Sequence, residues 1–173
     1  MAKEQKVILT GFMGVGKSSV SRHLAAKLGW KRIDLDSFIE LKTSLSPSGI
    51  IENEGEQRFR EIETKCLAEV LEMPSPFILS LGGGTFTLAR NRELIKAADC
   101  LTIWLEATFS HCWQNITSSR KKRPLAQNRA VAEALFNERQ SFYCLADWHL
   151  IIRPGETSQD IANRISIEIL DFQ

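Results

Sequence analysis

Near the amino end, Gly11-Phe12-Met13-Gly14-Val15-Gly16-Lys17-Ser18 carries the spacing GxxxxGK[ST]. Glycines let the backbone curl so that its N–H groups, including those of Gly14, Val15, Gly16 and Ser19, converge on an anion. The helix that must follow adds its positive amino end. Lys17 would reach the β- and γ-phosphates of a nucleotide, and the Ser18 hydroxyl suits Mg²⁺. With glycine near 7% of residues, such a match arises by chance about once per few hundred chains of this size. The plainer alternative is a glycine-rich turn with an incidental lysine. The motif speaks for nucleotide binding and is silent about what receives the phosphoryl group.

Further along, Asp34 and Asp36 stand one residue apart at the end of a predicted strand. Alternation along an extended segment would send both to one side, where a shared metal and a polyol could offset their repulsion. An Asp helix cap with a solvated neighbour is the competing reading. Arg60 sits in Glu56-Gln57-Arg58-Phe59-Arg60, with a solvated charged face as its alternative. Gly82-Gly83-Gly84 directly after a strand suggests a backbone that a ligand approaches closely. Arg120-Lys121-Lys122-Arg123-Pro124 concentrates positive charge in a polar segment, which suits a lid over a polyphosphate. Arg139 follows on the next helix, where surface ion pairing is the bland option.

The elements needed to place these groups alternate strand and helix. Apolar runs at Lys6–Thr10, Trp30–Asp34, Phe77–Leu81, Cys100–Leu105 and His149–Ile152 read as buried strands. Helices are expected over 18–28, 37–41, 56–72, 88–98, 107–116, 130–145 and 158–170, the last capped by Thr157 or Ser158. Leu45–Gly49 reads as a break and Thr117–Arg129 as a mobile loop. On the long helix, Phe59, Ile62, Cys66, Leu67 and Val70 are expected inward. This alternation implies parallel βαβ crossovers and a doubly wound α/β sheet, with ligands at the carboxyl ends of the strands.

The 173 residues fit a single domain, here 1–173, and 43% hydrophobic with 25% charged residues excludes a disordered or fibrous chain. A net charge of +1 argues against a duplex-DNA partner, and no apolar stretch approaches 20 residues, which argues against a membrane span. The apolar run after Lys6 ends after three residues, too short for a signal peptide. The four cysteines, Cys66, Cys100, Cys112 and Cys144, show no metal or disulfide spacing, and His111-Cys112 alone makes no site. Reduced thiols and a cytoplasmic location are expected.

Taken in order, these pieces resemble the shikimate kinase family, within the nucleoside-monophosphate-kinase-like group of P-loop enzymes. The resemblance runs from Lys6 to about Ile165 and rests on Gly11–Ser18, Asp34-Leu35-Asp36, Gly55-Glu56 with Phe59-Arg60, Gly82–Gly84, Arg123-Pro124-Leu125, and Glu138-Arg139 with Tyr143 and Ala146-Asp147. It implies a three-layer α/β/α fold with a five-stranded parallel sheet in order 2-3-1-4-5. A lid near 117–129 and a substrate-binding helical segment near 36–62 are implied with it.

The implied reaction moves the γ-phosphate of ATP to the 3-hydroxyl of shikimate, with Mg²⁺, in a monomer that takes no nucleic-acid or membrane partner. The resemblance assigns Asp36 to the acceptor hydroxyls, Asp34 with Ser18 to Mg²⁺, and Arg60 with Arg139 to the acceptor carboxylate. It assigns the Gly82–Gly84 backbone to a ring hydroxyl, and Lys17 and Arg123 to the phosphates. The family usually has Leu, Thr and Pro-Leu where Ala126, Leu81 and Ser141-Phe142 stand. Where many members stack an arginine on adenine, this chain has Ile116, and Arg120 or Arg153 with Pro154 is the expected substitute. A kinase for another hydroxylated acid such as gluconate, a nucleotide-binding regulator without turnover, and an RNA-associated protein are the rival readings.

Overall fold

The computed structural model describes residues 5–120 and 128–171. Five strands, β1 (Lys6–Thr10), β2 (Lys31–Asp34), β3 (Phe77–Ser80), β4 (Leu101–Glu106) and β5 (Trp148–Ile151), form one parallel sheet in the order β2-β3-β1-β4-β5. The order and direction are those expected. The central strands are buried nearly throughout, whereas β2 and β5 are half-exposed, as edge strands are.

Among the described residues, eight helices pack around them: α1 (Lys17–Leu28), α2 (Leu35–Thr43), α3 (Pro47–Glu54), α4 (Glu56–Leu71), α5 (Ala89–Ala97), α6 (Phe109–Ser118), α7 (Arg129–Tyr143) and α8 (Ser158–Asp171). A 3₁₀ turn, Thr85–Thr87, precedes α5. Among the described residues, α1 packs along α8 and against β1, β2 and β3, while α4 packs against α2, α3 and α5. Val7, Ile8, Leu9, Ile78, Leu79 and Ile103 are fully buried between these layers. Each such side chain contributes about 1.5–3 kcal/mol, so the sheet centre is the stiffest part of the scaffold.

Several boundaries differ from the expectation, with physical reasons. Asp36 does not lie on an extended segment: β2 stops at Asp34, which caps α2 by accepting from the Ser37 N–H at 3.1 Å. The segment expected to break after α2 instead starts a helix. Ser46 caps α3, accepting from Gly49 N–H at 3.1 Å, and Pro47 occupies the first turn, where its missing N–H costs nothing. Thr157 caps α8 reciprocally with Asp160, each side chain accepting from the other's backbone N–H. At the expected lid, Thr117 and Ser118 complete α6 and Arg129 opens α7. Arg123 and Pro124 lie outside the described residues. Among those residues no helix is long and apolar enough to cross a membrane.

Candidate active site

Register brings the carboxyl ends of β1, β3 and β2 level, since Leu9 pairs with Ser80 and Ser80 with Asp34. The turn after β1 holds Gly14 at φ +80° and Gly16 at φ +105°, a region that side chains strain to enter. Gly14 has a second reason to be glycine. A Cβ there would stand 2.5 Å from the Cys112 carbonyl of α6 and 2.9 Å from Ile116 Cγ1. Lys17, 8% exposed, curls back so that Nζ donates to the carbonyls of Gly11 at 2.7 Å and Phe12 at 2.9 Å. The ammonium is therefore held within the loop whose N–H groups and helix amino end attract phosphate.

Beside it, Ser18 Oγ donates to Asp34 Oδ2 at 2.8 Å, and Ser80 Oγ donates to the same oxygen at 3.0 Å. Among the described residues no group of three or more His, Cys, Asp or Glu is placed to hold a metal. A hydroxyl and one carboxylate at the foot of a phosphate loop nevertheless fit Mg²⁺, which takes few protein ligands and shares substrate phosphates.

The turn after β3 gathers the remaining charges. A Cβ on Gly82 would meet Asp36 Oδ1 at 3.1 Å and Glu63 Oε1 at 3.3 Å, one on Gly83 would meet Arg139 Nη1 at 3.2 Å, and one on Gly84 would meet the Arg60 guanidinium. Three successive glycines thus face three separate groups expected at the acceptor. Tyr143 Oη donates to the Gly83 carbonyl and ties α7 to the turn.

Glu63 also belongs to this cluster, although the sequence analysis does not single it out. It is fully buried, accepts from Arg60 Nη1 at 2.8 Å and from Thr85 Oγ1 at 2.6 Å, and braces the guanidinium. Burial pushes its carboxyl above the ordinary value, while the Arg60 charge and the Thr85 hydroxyl pull the other way. The signal was present: Glu63 lies four residues after Phe59 and four before Leu67, inside the apolar stripe of α4. Ile62, expected inward, is only partly buried. The Arg60 carbonyl also accepts from Thr64 Oγ1 at 2.9 Å and from Arg90 Nη2 at 3.2 Å.

Two cavities are lined by these groups. One, of about 560 Å³, is lined by the phosphate loop including Gly14–Ser19, by Asp34, Asp36, Gly82 and Gly83, and by His111, Asn115, Glu156 and Ser158. The other, of about 600 Å³, is lined by Arg60, Arg139, Glu56, Glu138, Leu135 and Phe142. The family model described as shikimate kinase matches residues 13–170.

The chain belongs to the shikimate kinase family. It is 37% identical over 160 residues to shikimate kinase of Ruegeria pomeroyi, covering 91% of this chain and 80% of that one. Against shikimate kinase of Geobacter sulfurreducens the identity is 35% over 172 residues, covering 98% and 93%. The solved structure of shikimate kinase from Acinetobacter baumannii in complex with shikimate matches with a TM-score of 0.91 and 32% identity. That match covers 99% of this chain and 96% of that chain. Shikimate kinases transfer the γ-phosphate of ATP to the 3-hydroxyl of shikimate.

The structure brings the phosphate loop, Asp34, Asp36, Arg60, Arg139 and Gly82–Gly84 together at the carboxyl ends of the strands. Ile116 is buried against Gly14 and forms part of the loop's seat. Arg153 is exposed, its N–H donates to Glu156 Oε2 at 2.7 Å, and Glu156 and Ser158 rather than Arg153 line the cavity there.

Proposed function

We propose that this chain phosphorylates shikimate with Asp36 as the group that orients and deprotonates the attacking hydroxyl. Arg60 and Arg139 hold the acceptor carboxylate, and Lys17 with the loop N–H groups holds the ATP phosphates. The observation that supports this assignment is the Gly82–Gly84 turn, with a carboxylate against its first glycine and the two guanidinium groups against the next two. A hydroxylated ring acid laid along that turn presents a hydroxyl toward Asp36, on the phosphate side, and its carboxylate toward the arginines. Planar carboxylates favour such arginine forks. Glu63 keeps the Arg60 fork in register, and the Ser80 and Ser37 contacts to Asp34 orient the carboxylate beside Ser18.

Ser18 and Asp34 are the residues that would hold Mg²⁺, and the ion would neutralise charge on the transferring phosphate. Phosphoryl transfer depends on positioning and cation supply more than on covalent chemistry, and these residues supply both. The segment near 117–129, with Arg123, is read as the lid over the phosphates, within one domain. A monomer belongs to the same reading, and an ATP-dependent enzyme with free thiols suits the cytoplasm.

ADP release measured with shikimate, gluconate, nucleoside monophosphates or no acceptor tests the reading. Turnover with shikimate alone is expected, together with a KM for shikimate raised by roughly one to two decades in Arg139→Ala, the loss of a charged hydrogen bond. Equal rates with gluconate, or an Arg139→Ala effect confined to ATP, would overturn it.

A further inference from the structure

We infer that Gly84 is a positioning residue for the acceptor carboxylate, acting through Arg60 by leaving empty the space that any side chain would fill. The inference rests on the reading of Arg60 as a carboxylate-binding group.

The backbone does not explain the glycine. Gly84 lies at φ −99° and ψ −12°, which alanine adopts readily, and neither Gly82 nor Gly83 has a positive φ. What excludes a side chain is proximity. A Cβ at Gly84 would stand 2.7 Å from Arg60 Cζ and 2.8 Å from Nη1, and nearer still to Nη2. Ordinary contact begins at 3.4 Å. At Gly82 and Gly83 the nearest atoms are 3.1 and 3.2 Å away, so neighbours there would yield by tenths of an ångström. At Gly84 the guanidinium itself must leave.

Its present seat is built from three contacts. Nη1 is bonded to fully buried Glu63, Nη2 to Glu56 at 3.3 Å, and the guanidinium carbon lies 5.1 Å from the Phe59 ring centroid. A displaced Arg60 would therefore lose its aim while remaining attached to a folded helix. The atoms that move are the far end of a flexible side chain, so recognition should suffer more than folding. Recognition sites tolerate only about 0.5 Å of error, and misplacement near 1 Å can cost on the order of 100-fold.

The test compares Gly84→Ala, Arg60→Ala, Arg60→Lys and the double variant Gly84→Ala/Arg60→Lys by steady-state kinetics, with melting curves for each. Gly84→Ala should raise the shikimate KM about tenfold or more and leave the ATP KM within about twofold. Lysine lacks the planar head, so adding Gly84→Ala to Arg60→Lys should change the shikimate KM by less than about twofold. A wild-type shikimate KM in Gly84→Ala, an equal penalty in the Arg60→Lys background, or an unfolded Gly84→Ala protein would each overturn the inference. If Arg60→Ala leaves the shikimate KM unchanged, the reading of Arg60 falls as well. If Arg60→Ala raises it and Gly84→Ala does not, the role of Gly84 alone falls.

Discussion

Asp34 and Asp36 are separated by one residue and do different work. Asp34 caps α2 and takes hydroxyl donors from Ser18 and Ser80, with the Arg32 guanidinium 4.0 Å away. Asp36 faces the glycine turn and the same cavity. Asparagine caps helices as well as aspartate does, so Asp34→Asn should keep α2 and remove mainly charge. Its rate should fall and recover in part as Mg²⁺ is raised. Asp36→Asn should lose about 10²–10⁴-fold in turnover with ATP affinity intact, because the proposed general base is removed. Rates across a Mg²⁺ titration separate the two; rescue of Asp36→Asn in place of Asp34→Asn would exchange their roles. The residues of this site were largely legible in the sequence, though not always for the right reason. Strand alternation does not bring the aspartates together, since a helix begins between them. The triple glycine marks close approach, and this chain's own side chains are among the groups that approach it. Glu63 was hidden because a buried carboxylate looks like any other glutamate until its partner on the same helix, Arg60, is seen to turn inward with it.

At the scale of elements, the sheet order and most helices follow from apolar periodicity and from glycine and proline punctuation. The element that was missed, α3, is short and weakly patterned, and only Ser46-Pro47 announced it. Packing between elements was not legible at all, and α6 shows why. Its Cys112 carbonyl and Ile116 side chain form the seat for Gly14, and Asn115 Nδ2 donates to the Gly14 carbonyl at 2.8 Å while lying 3.3 Å from His111 Nε2. Helix and loop are about 100 residues apart in sequence, so no local pattern connects them. Asn115→Ala removes that tie. A neutral hydrogen bond contributes about 0.5–1.5 kcal/mol, so the ATP KM should rise roughly two- to tenfold with the shikimate KM unchanged. An unaltered ATP KM would show that the seat, without the amide, is enough.

For the molecule as a whole, the Tyr143 phenol is one of the ties between α7 and the turn after β3. Tyr143 is fully buried, donates to Gly83, and its hydroxyl is pushed up to about 12 from 10.0, chiefly by burial. A raised value favours the neutral form in the folded state. The associated stability is therefore complete below about 10 and is lost as pH rises through about 12. The Cys100 thiol, pushed up to about 11 by burial, acts in the same direction. Tyr143 is the only tyrosine in the chain, so tyrosinate absorbance reports it alone. The expected midpoint is near 12 in the folded protein and near 10 in urea, and coincident midpoints would contradict the burial argument. The sheet order has a consequence on a slower timescale. The phosphate loop grows from β1, which has a strand on either side, whereas Asp34 and Asp36 hang from β2 at the sheet's edge. Amide hydrogens should therefore exchange with deuterium latest in β1 and its neighbours, and earlier in β2, α2 and α3. The half that grips the nucleotide would stay folded while the half that meets the acceptor opens and closes many times.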